Sequence, residues 1–138
     1  MKLEADWVTG FVDGEGCFHV GVNEHPEMVS GHQVLPEFTV VQHERDVMLL
    51  HAMKSFFSCG VVRTNHGRRM AYRVRGKQDL LQHIVPFFVR HPLKSQKRED
   101  FEKFHRVLLL MKTGDHLTEE GVAVIRRIAE GMNRGRLR

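Results

Sequence analysis

Apolar positions along this chain alternate between two spacings, and the switches mark its elements. From about Leu3 to Gly14, Trp7 and Phe11 stand four apart, as do Val8 and Val12, which predicts a helix with an apolar contact face. Cys17 to Asn23 then runs at period two, with Phe18, Val20 and Val22 on one face and Cys17, His19, Gly21 and Asn23 on the other. A polar loop broken by Pro26 follows, and a second strand from about Leu35 to Gln42 turns Phe38 and Val40 inward and Glu37 and Thr39 outward. Val47, Leu50, Met53 and Phe57 form the stripe of a second helix, for which Asp46 is the expected N-cap. Val61–Asn65 and Arg69–Arg75 flank His66-Gly67-Arg68 and predict a hairpin. A helix begins near Lys77 with Leu80, Leu81, Ile84 and Val85 as its core side, and Pro86 is expected to break or kink it. Ser95 should cap the next helix, striped by Phe101, Phe104, Leu108 and Met111 and closed by Gly114. Thr118 should cap the last, docked by Val122, Ile125, Ala129 and Met132, with Leu117 and Val122 as a hydrophobic staple.

The order is α-β-β-α-β-β-α with further C-terminal helices, an α+β fold. One domain is expected over residues 1–132, with 118–132 as its last helix and 133–138 as an unpacked basic tail. All four strands alternate, so their antiparallel sheet has one buried and one open face. The open face would carry His19, Asn23, Glu37, Thr39, Arg63, Asn65, Arg69, Arg73 and Arg75.

Composition is that of a soluble globular protein, at 41% hydrophobic and 28% charged residues. No apolar run approaches the ~20 residues of a membrane span, and Glu4 and Asp6 interrupt any signal-peptide pattern. Cys17 and Cys59 form neither a metal spacing nor a disulfide framework, which suits a reducing compartment. An intracellular location is expected, in an organelle (chloroplast or mitochondrion) or a bacterial cytoplasm. The formal charge of +4 hides an asymmetry, since residues 1–59 carry −6 and residues 60–138 carry +10. Arg63, Arg68, Arg69, Arg73 and Arg75 crowd the predicted hairpin with no acid among them, an electrostatic footprint for nucleic acid. No small-molecule substrate or membrane partner is indicated.

Gly10 and Gly14 share one face of the first helix, where glycine costs roughly 1 kcal/mol against alanine. Close approach of another helix would compensate. Glu15 ends that helix, and the same carboxylate repeated across a two-fold helix contact would give paired acids suited to a divalent cation. The stretch Val8-Thr9-Gly10-Phe11-Val12-Asp13-Gly14-Glu15-Gly16 resembles the signature of the LAGLIDADG homing endonucleases, with Thr9 in place of the usual alanine. The αββαββα order, with its curved four-stranded sheet as a DNA-binding saddle, is also the fold that this resemblance implies.

The resemblance implies that Glu15 binds the metal, with the main-chain carbonyl of Gly14 as a second ligand. It implies that Gln42 orients the attacking water and Lys94 stabilises the phosphate charge, with Lys97 a competing candidate and Arg45 an assistant. Asp13 is read as a cap or brace of the paired helices, not a catalytic group. With one signature per chain, the resemblance further implies a homodimer through Trp7, Val8, Gly10, Phe11 and Gly14. Mg2+ is the expected cofactor, with Mn2+ able to substitute, and the partner is a long, near-palindromic DNA duplex cut with 3′ overhangs during intron or intein mobility. The alternatives are an RNA maturase or a non-cleaving DNA-binding protein on the same fold. A calcium loop is excluded because Phe18 stands where the turn glycine is needed, and the ten histidines show no zinc-finger spacing.

Overall fold

Period-two alternation builds a four-stranded sheet. In the computed structural model, which describes residues 1–134, the elements are α1 (Ala5–Glu15), β1 (Gly16–Glu24), β2 (His32–His43), α2 (Val47–Phe57), β3 (Val61–His66), β4 (Arg69–Arg75), α3 (Lys77–Asp79), α4 (Val85–Arg90), α5 (Lys97–Lys112) and α6 (Glu119–Glu130). The sheet order is β1-β2-β4-β3, with every neighbouring pair antiparallel. Phe18, Val20, Val34, Phe38, Val40, Tyr72 and Val74 are buried on one face. Helices cover that face: α1 and α5 lie against β1 and β2, α2 against β2 and β4, and α6 against β1.

The core is aromatic. Phe18 stacks on Phe38 at 5.2 Å between centroids and meets Phe88, Phe101 and Phe104 at 5.2–5.6 Å. Such pairs add about 0.5–1.5 kcal/mol each beyond simple burial and fix how the helices sit on the sheet. Tyr72 lies in the same layer and donates its hydroxyl to the Cys59 carbonyl at 2.8 Å. Gly60 makes this possible: at φ +89° it passes so close to the Tyr72 ring and the Arg73 carbonyl that a Cβ would lie 2.7 and 2.8 Å from them.

Several local expectations need correction. β2 starts at His32, three residues before Leu35, and continues through Pro36, beyond the last β2–β4 pair at Glu37–Arg75. There β2 has a neighbour on one side only, so a residue without an N–H is tolerated. Asp46 does not cap α2 with its side chain. A short 3-10 turn over Glu44–Asp46 precedes the helix, and the His43 ring accepts the Arg45 N–H at 3.1 Å. Pro86 does not break the third helical run. The turn widens to a π-helix at Leu80–Ile84 and α4 continues from it without a break, so the run takes up at its wider turn a residue that has no N–H to give the turn before it. Thr118 caps α6 as expected, its hydroxyl accepting the Gly121 N–H at 3.0 Å, and Gly114 follows α5 at φ +82°. Leu117, the expected staple residue, is half exposed.

Asn133, expected in the basic tail, is held to the body of the domain. Asn133 donates its main-chain N–H to Asp100 and its side-chain amide to the Phe18 carbonyl, both at 2.9 Å, and so is tied to α5 and β1. Residues 135–138 of the expected tail lie outside the described residues.

Candidate active site and nucleic-acid interface

Three elements meet at one end of the sheet. The β1–β2 ladder starts at Gly16–Val40, so Glu15, the last residue of α1, stands beside the end of β2 that carries Gln42. Glu15 and Gly14 are exposed and Gln42 is half-buried. Gln42 shares the parity of Phe38 and Val40, so it belongs to the helix side of the strand end rather than to the open face.

The third element is the turn before α5, and Asp13 holds it. The Asp13 carboxylate accepts the main-chain N–H of Lys94 at 2.9 Å, the N–H of Ser95 at 3.1 Å and the Ser95 hydroxyl. Burial pushes this carboxyl upward, but the bonds from Ser95 and Lys94 and the charge of Lys97 outweigh it, so its pKa lies below the ordinary carboxylate value. Ser95 also accepts the Lys97 N–H at 3.2 Å, so it caps α5 and binds α1 with the same hydroxyl. Asp13 therefore braces α1 to the turn before α5 within one chain, which is not the contact between paired helices that was expected of it.

The two candidate lysines separate here. Lys97 is buried and donates its ammonium to the Val12 carbonyl at 3.3 Å, near the C-terminal end of α1 where a cation is favoured. Lys94 is exposed, with its backbone pinned to Asp13 and its side chain at the surface. Arg45 is exposed on the 3-10 turn that follows Gln42.

Along α1, the residues expected at a partner contact divide. Val8 is fully buried in this chain's own core and has no surface to offer a partner, which corrects that assignment. Its period-four partner Val12 is buried with it, and the helix turns this pair inward. Trp7 remains 44% exposed and stacks on Phe11 at 4.9 Å and 13°. Gly10 and Gly14 are exposed, and a Cβ on either would meet no heavy atom within 4 Å.

The open face carries cross-strand rows. His19, Glu37 and Arg75 form one, and Cys17, Thr39, Arg73 and Val61 the next. Glu37 pairs with Arg75 at 2.8 Å and lies 3.5 Å from Arg73. Burial, with the charges of Arg75 and Arg63 nearby, holds the Arg73 guanidinium below its ordinary pKa, and Glu37 opposes that shift. Asn23 is exposed opposite Gln33, and Arg63 is exposed opposite Ala71.

Asn65 is displaced from the expected row. A bulge between Thr64 and His66 leaves it without a register partner, and His66 stands opposite Arg69 instead. Counting alternate residues toward the turn could not reveal this, because a bulge shifts parity without changing composition. The exposed apolar residues Leu35 and Val61 on this face were also missed, since apolar strand residues are read as core by default.

At the end of α1 one chain offers a cation the Glu15 carboxylate and main-chain carbonyl oxygens, and among the described residues no group of three or more His, Cys, Asp or Glu could hold a metal. That donor set is hard and incomplete. It fits a small divalent ion that takes one or two carboxylates and fills its shell with water and substrate phosphate.

The model of the LAGLIDADG endonuclease family matches residues 8–108. The crystal structure of a homing endonuclease, I-TnaI, superposes with a TM-score of 0.93 at 53% identity, covering 99% of this chain and 92% of that one. The I-SmaMI LAGLIDADG homing endonuclease bound to cleaved DNA superposes at 0.94 with 33% identity, over 99% of this chain and 46% of its own. The same protein on uncleaved target with calcium ions gives 0.92 at 32% identity, over 96% and 45%. "Probable intron-encoded endonuclease 2" of Neurospora crassa is 32% identical over 118 residues, 85% of this chain. The chain spans about a quarter of the length of the first curated relatives it matches. With its signature helix, its four-stranded antiparallel sheet and a family match over most of its length, the chain belongs to the LAGLIDADG endonuclease family.

Proposed function

We propose that this chain is a site-specific DNA endonuclease. It acts as a homodimer, cuts both strands of a long near-palindromic duplex to leave 3′ overhangs, and thereby spreads the intron or intein that encodes it inside a cell or organelle. The observation that carries this reading is the exposed Glu15 carboxylate at the end of a helix whose glycine face is open. A second copy of α1 laid on that face, with Trp7, Gly10, Phe11 and Gly14 at the contact, would bring two such carboxylates together beneath the duplex. It would also join two sheets into one saddle, matching target symmetry to protein symmetry. The I-SmaMI chain, about twice as long as this one, is consistent with a need for two such units.

Glu15 and the Gly14 carbonyl would hold Mg2+, for which Mn2+ could substitute. When bound, the ion supplies charge stabilisation for the attacking and leaving oxygens of the phosphodiester. Gln42, on the adjacent strand end, orients the attacking water through its amide. Lys94 brings a positive charge to the non-bridging phosphate oxygens, and Asp13 keeps Lys94 in place by holding its backbone. The arginines of β3 and β4 lie in the major groove and read base edges, each bidentate guanine contact being worth ~1–3 kcal/mol of discrimination. No helix among the described residues is long and apolar enough to cross a membrane. A maturase has less support, since Glu15, Gln42 and Lys94 lie at one end of the sheet and the named relatives are endonucleases.

The test is a supercoiled plasmid library with randomised inserts, incubated with the protein in Mg2+ or Ca2+. Linear products are expected in Mg2+ alone. Glu15→Gln should abolish them while DNA retention on a filter persists. A Glu15→Gln protein that linearises plasmid at the wild-type rate would falsify the metal-ligand assignment.

A further inference from the structure

Three guanidinium groups share the centre of the open face with a single carboxylate. Glu37 stands directly opposite Arg75 in the β2–β4 register, and Arg73 is the diagonal neighbour two residues away. One oxygen of Glu37 accepts the Arg75 Nε–H at 2.8 Å and lies 3.5 Å from the Nε of Arg73. The Glu37 and Arg73 side chains are only 20% exposed, and the Nε of Arg73 is buried without a hydrogen-bond partner of its own. Thus both arginines turn the same edge, the Nε edge, toward Glu37.

That choice of edge has consequences for recognition. An arginine has five N–H donors, and a carboxylate at Nε leaves the four on Nη1 and Nη2. Two of these, one on each nitrogen, point outward in parallel and can engage guanine O6 and N7 together. Without a carboxylate between them, Arg63, Arg73 and Arg75 would repel one another and spread. A flexible arginine of that kind gravitates to phosphates, which carry no sequence information.

We infer that Glu37 is a specificity-setting positioning residue: its carboxylate tethers the Nε edges of Arg73 and Arg75 so that their outer edges face guanines of the target duplex. This rests on the DNA-reading function proposed above and concerns how that function becomes selective. Glu37 acts through the arginines rather than by touching a base itself.

The experiment is selection from a randomised duplex library in Ca2+, followed by dissociation constants for the enriched duplex and for an unrelated duplex. Wild-type protein should enrich a motif with guanine at two nearby positions in each half-site. Glu37→Gln, which keeps shape and removes charge, should lose both guanine preferences. The ratio of the two dissociation constants should fall about tenfold or more, with the unrelated duplex bound more tightly because each subunit gains positive charge. Glu37→Asp, with its carboxylate withdrawn by one methylene, should fall between them, and Arg75→Lys should lose one of the same two positions. Thermal unfolding of each variant tests whether the fold is intact. Guanine preferences unchanged in both Glu37 variants would overturn the inference and leave the wider function standing. Loss of a cytosine preference instead would also overturn it, since Glu37 would then be reading a base directly. A wild-type protein that enriches no motif overturns both readings.

Discussion

A methyl group on Gly10 should stabilise the isolated subunit and weaken the dimer. Glycine inside a helix costs roughly 0.8–1.0 kcal/mol against alanine, because its backbone loses more freedom on folding. At Gly10 nothing in the chain opposes the replacement, since a Cβ there meets no heavy atom within 4 Å. Gly10→Ala should therefore raise the stability of the single subunit by up to about 1 kcal/mol, or a few degrees in Tm for a domain of this size. In the proposed dimer the same methyl lies where two backbones approach, and overpacking a close contact costs typically ~1–3 kcal/mol. At about 1.4 kcal/mol per factor of ten, association should weaken roughly fivefold to a hundredfold. Gly10→Leu should weaken it further. Urea unfolding of dilute protein reports the first effect, and sedimentation velocity over a concentration series reports the second. An alanine variant that is more stable yet associates as tightly as wild type would refute the assignment of this face to the dimer.

Two other perturbations test the frame around the site. Asp13→Asn replaces one of two accepting oxygens with a donor, so the Lys94–Ser95 turn loses at least one charge-assisted bond, worth about 1.5–3 kcal/mol where the acceptor is ionised. Cleavage should slow by about a hundredfold as Lys94 shifts, with DNA affinity nearly unchanged; an unaltered cleavage rate would show that Asp13 only supports the fold. His105 and His116 are both held below the ordinary histidine value of 6.5, by burial at each and also by Lys77 at His116, against the opposing charge of Asp115. Because the unfolded chain takes up these protons first, stability should fall as pH drops through about 6.5. The urea midpoint of wild type should be lower at pH 5.5 than at 7.5, and His105→Gln with His116→Gln should flatten that difference; an equal slope in both proteins would refute it.

Element order was legible because each strand and helix has its own apolar spacing, and the spacings change at Gly16, Gly60 and Gly114. Features depending on one hydrogen bond or one extra residue were not. The bulge at Asn65 and the π-turn before Pro86 leave the hydrophobic count intact, so nothing in the pattern records them. Val8 shows a different limit. Helical spacing groups residues by face but does not say which of two apolar faces turns inward, and Val8 and Val12 took the core while Trp7 stayed at the surface. A lone asparagine has no periodicity, so nothing in the pattern joins Asn133 to the domain, yet two hydrogen bonds hold it to the body of the fold. Lys94 and Lys97, three apart, could not be told apart by charge. The distinction is one of partners: Lys97 reaches the Val12 carbonyl, and Lys94 reaches no further than its own backbone bond to Asp13.

These two attachments give the signature helix a second task. Asp13 and the Val12 carbonyl both face α5 and the turn before it, whereas Gly10 and Gly14 face outward. Glu15 follows directly, so a helix of 11 residues presents three different surfaces within its last turn. One anchors the lysine-bearing turn, one is open to a partner, and one ends in the exposed carboxylate. Any tilt of α1 caused by a partner helix must move Lys94 with it, because their link is a set of short hydrogen bonds to a single ionised side chain. In the proposed dimer, assembly and the placement of Lys94 would thus be coupled through Asp13. A subunit that dimerises poorly should cut poorly for reasons beyond the missing second carboxylate.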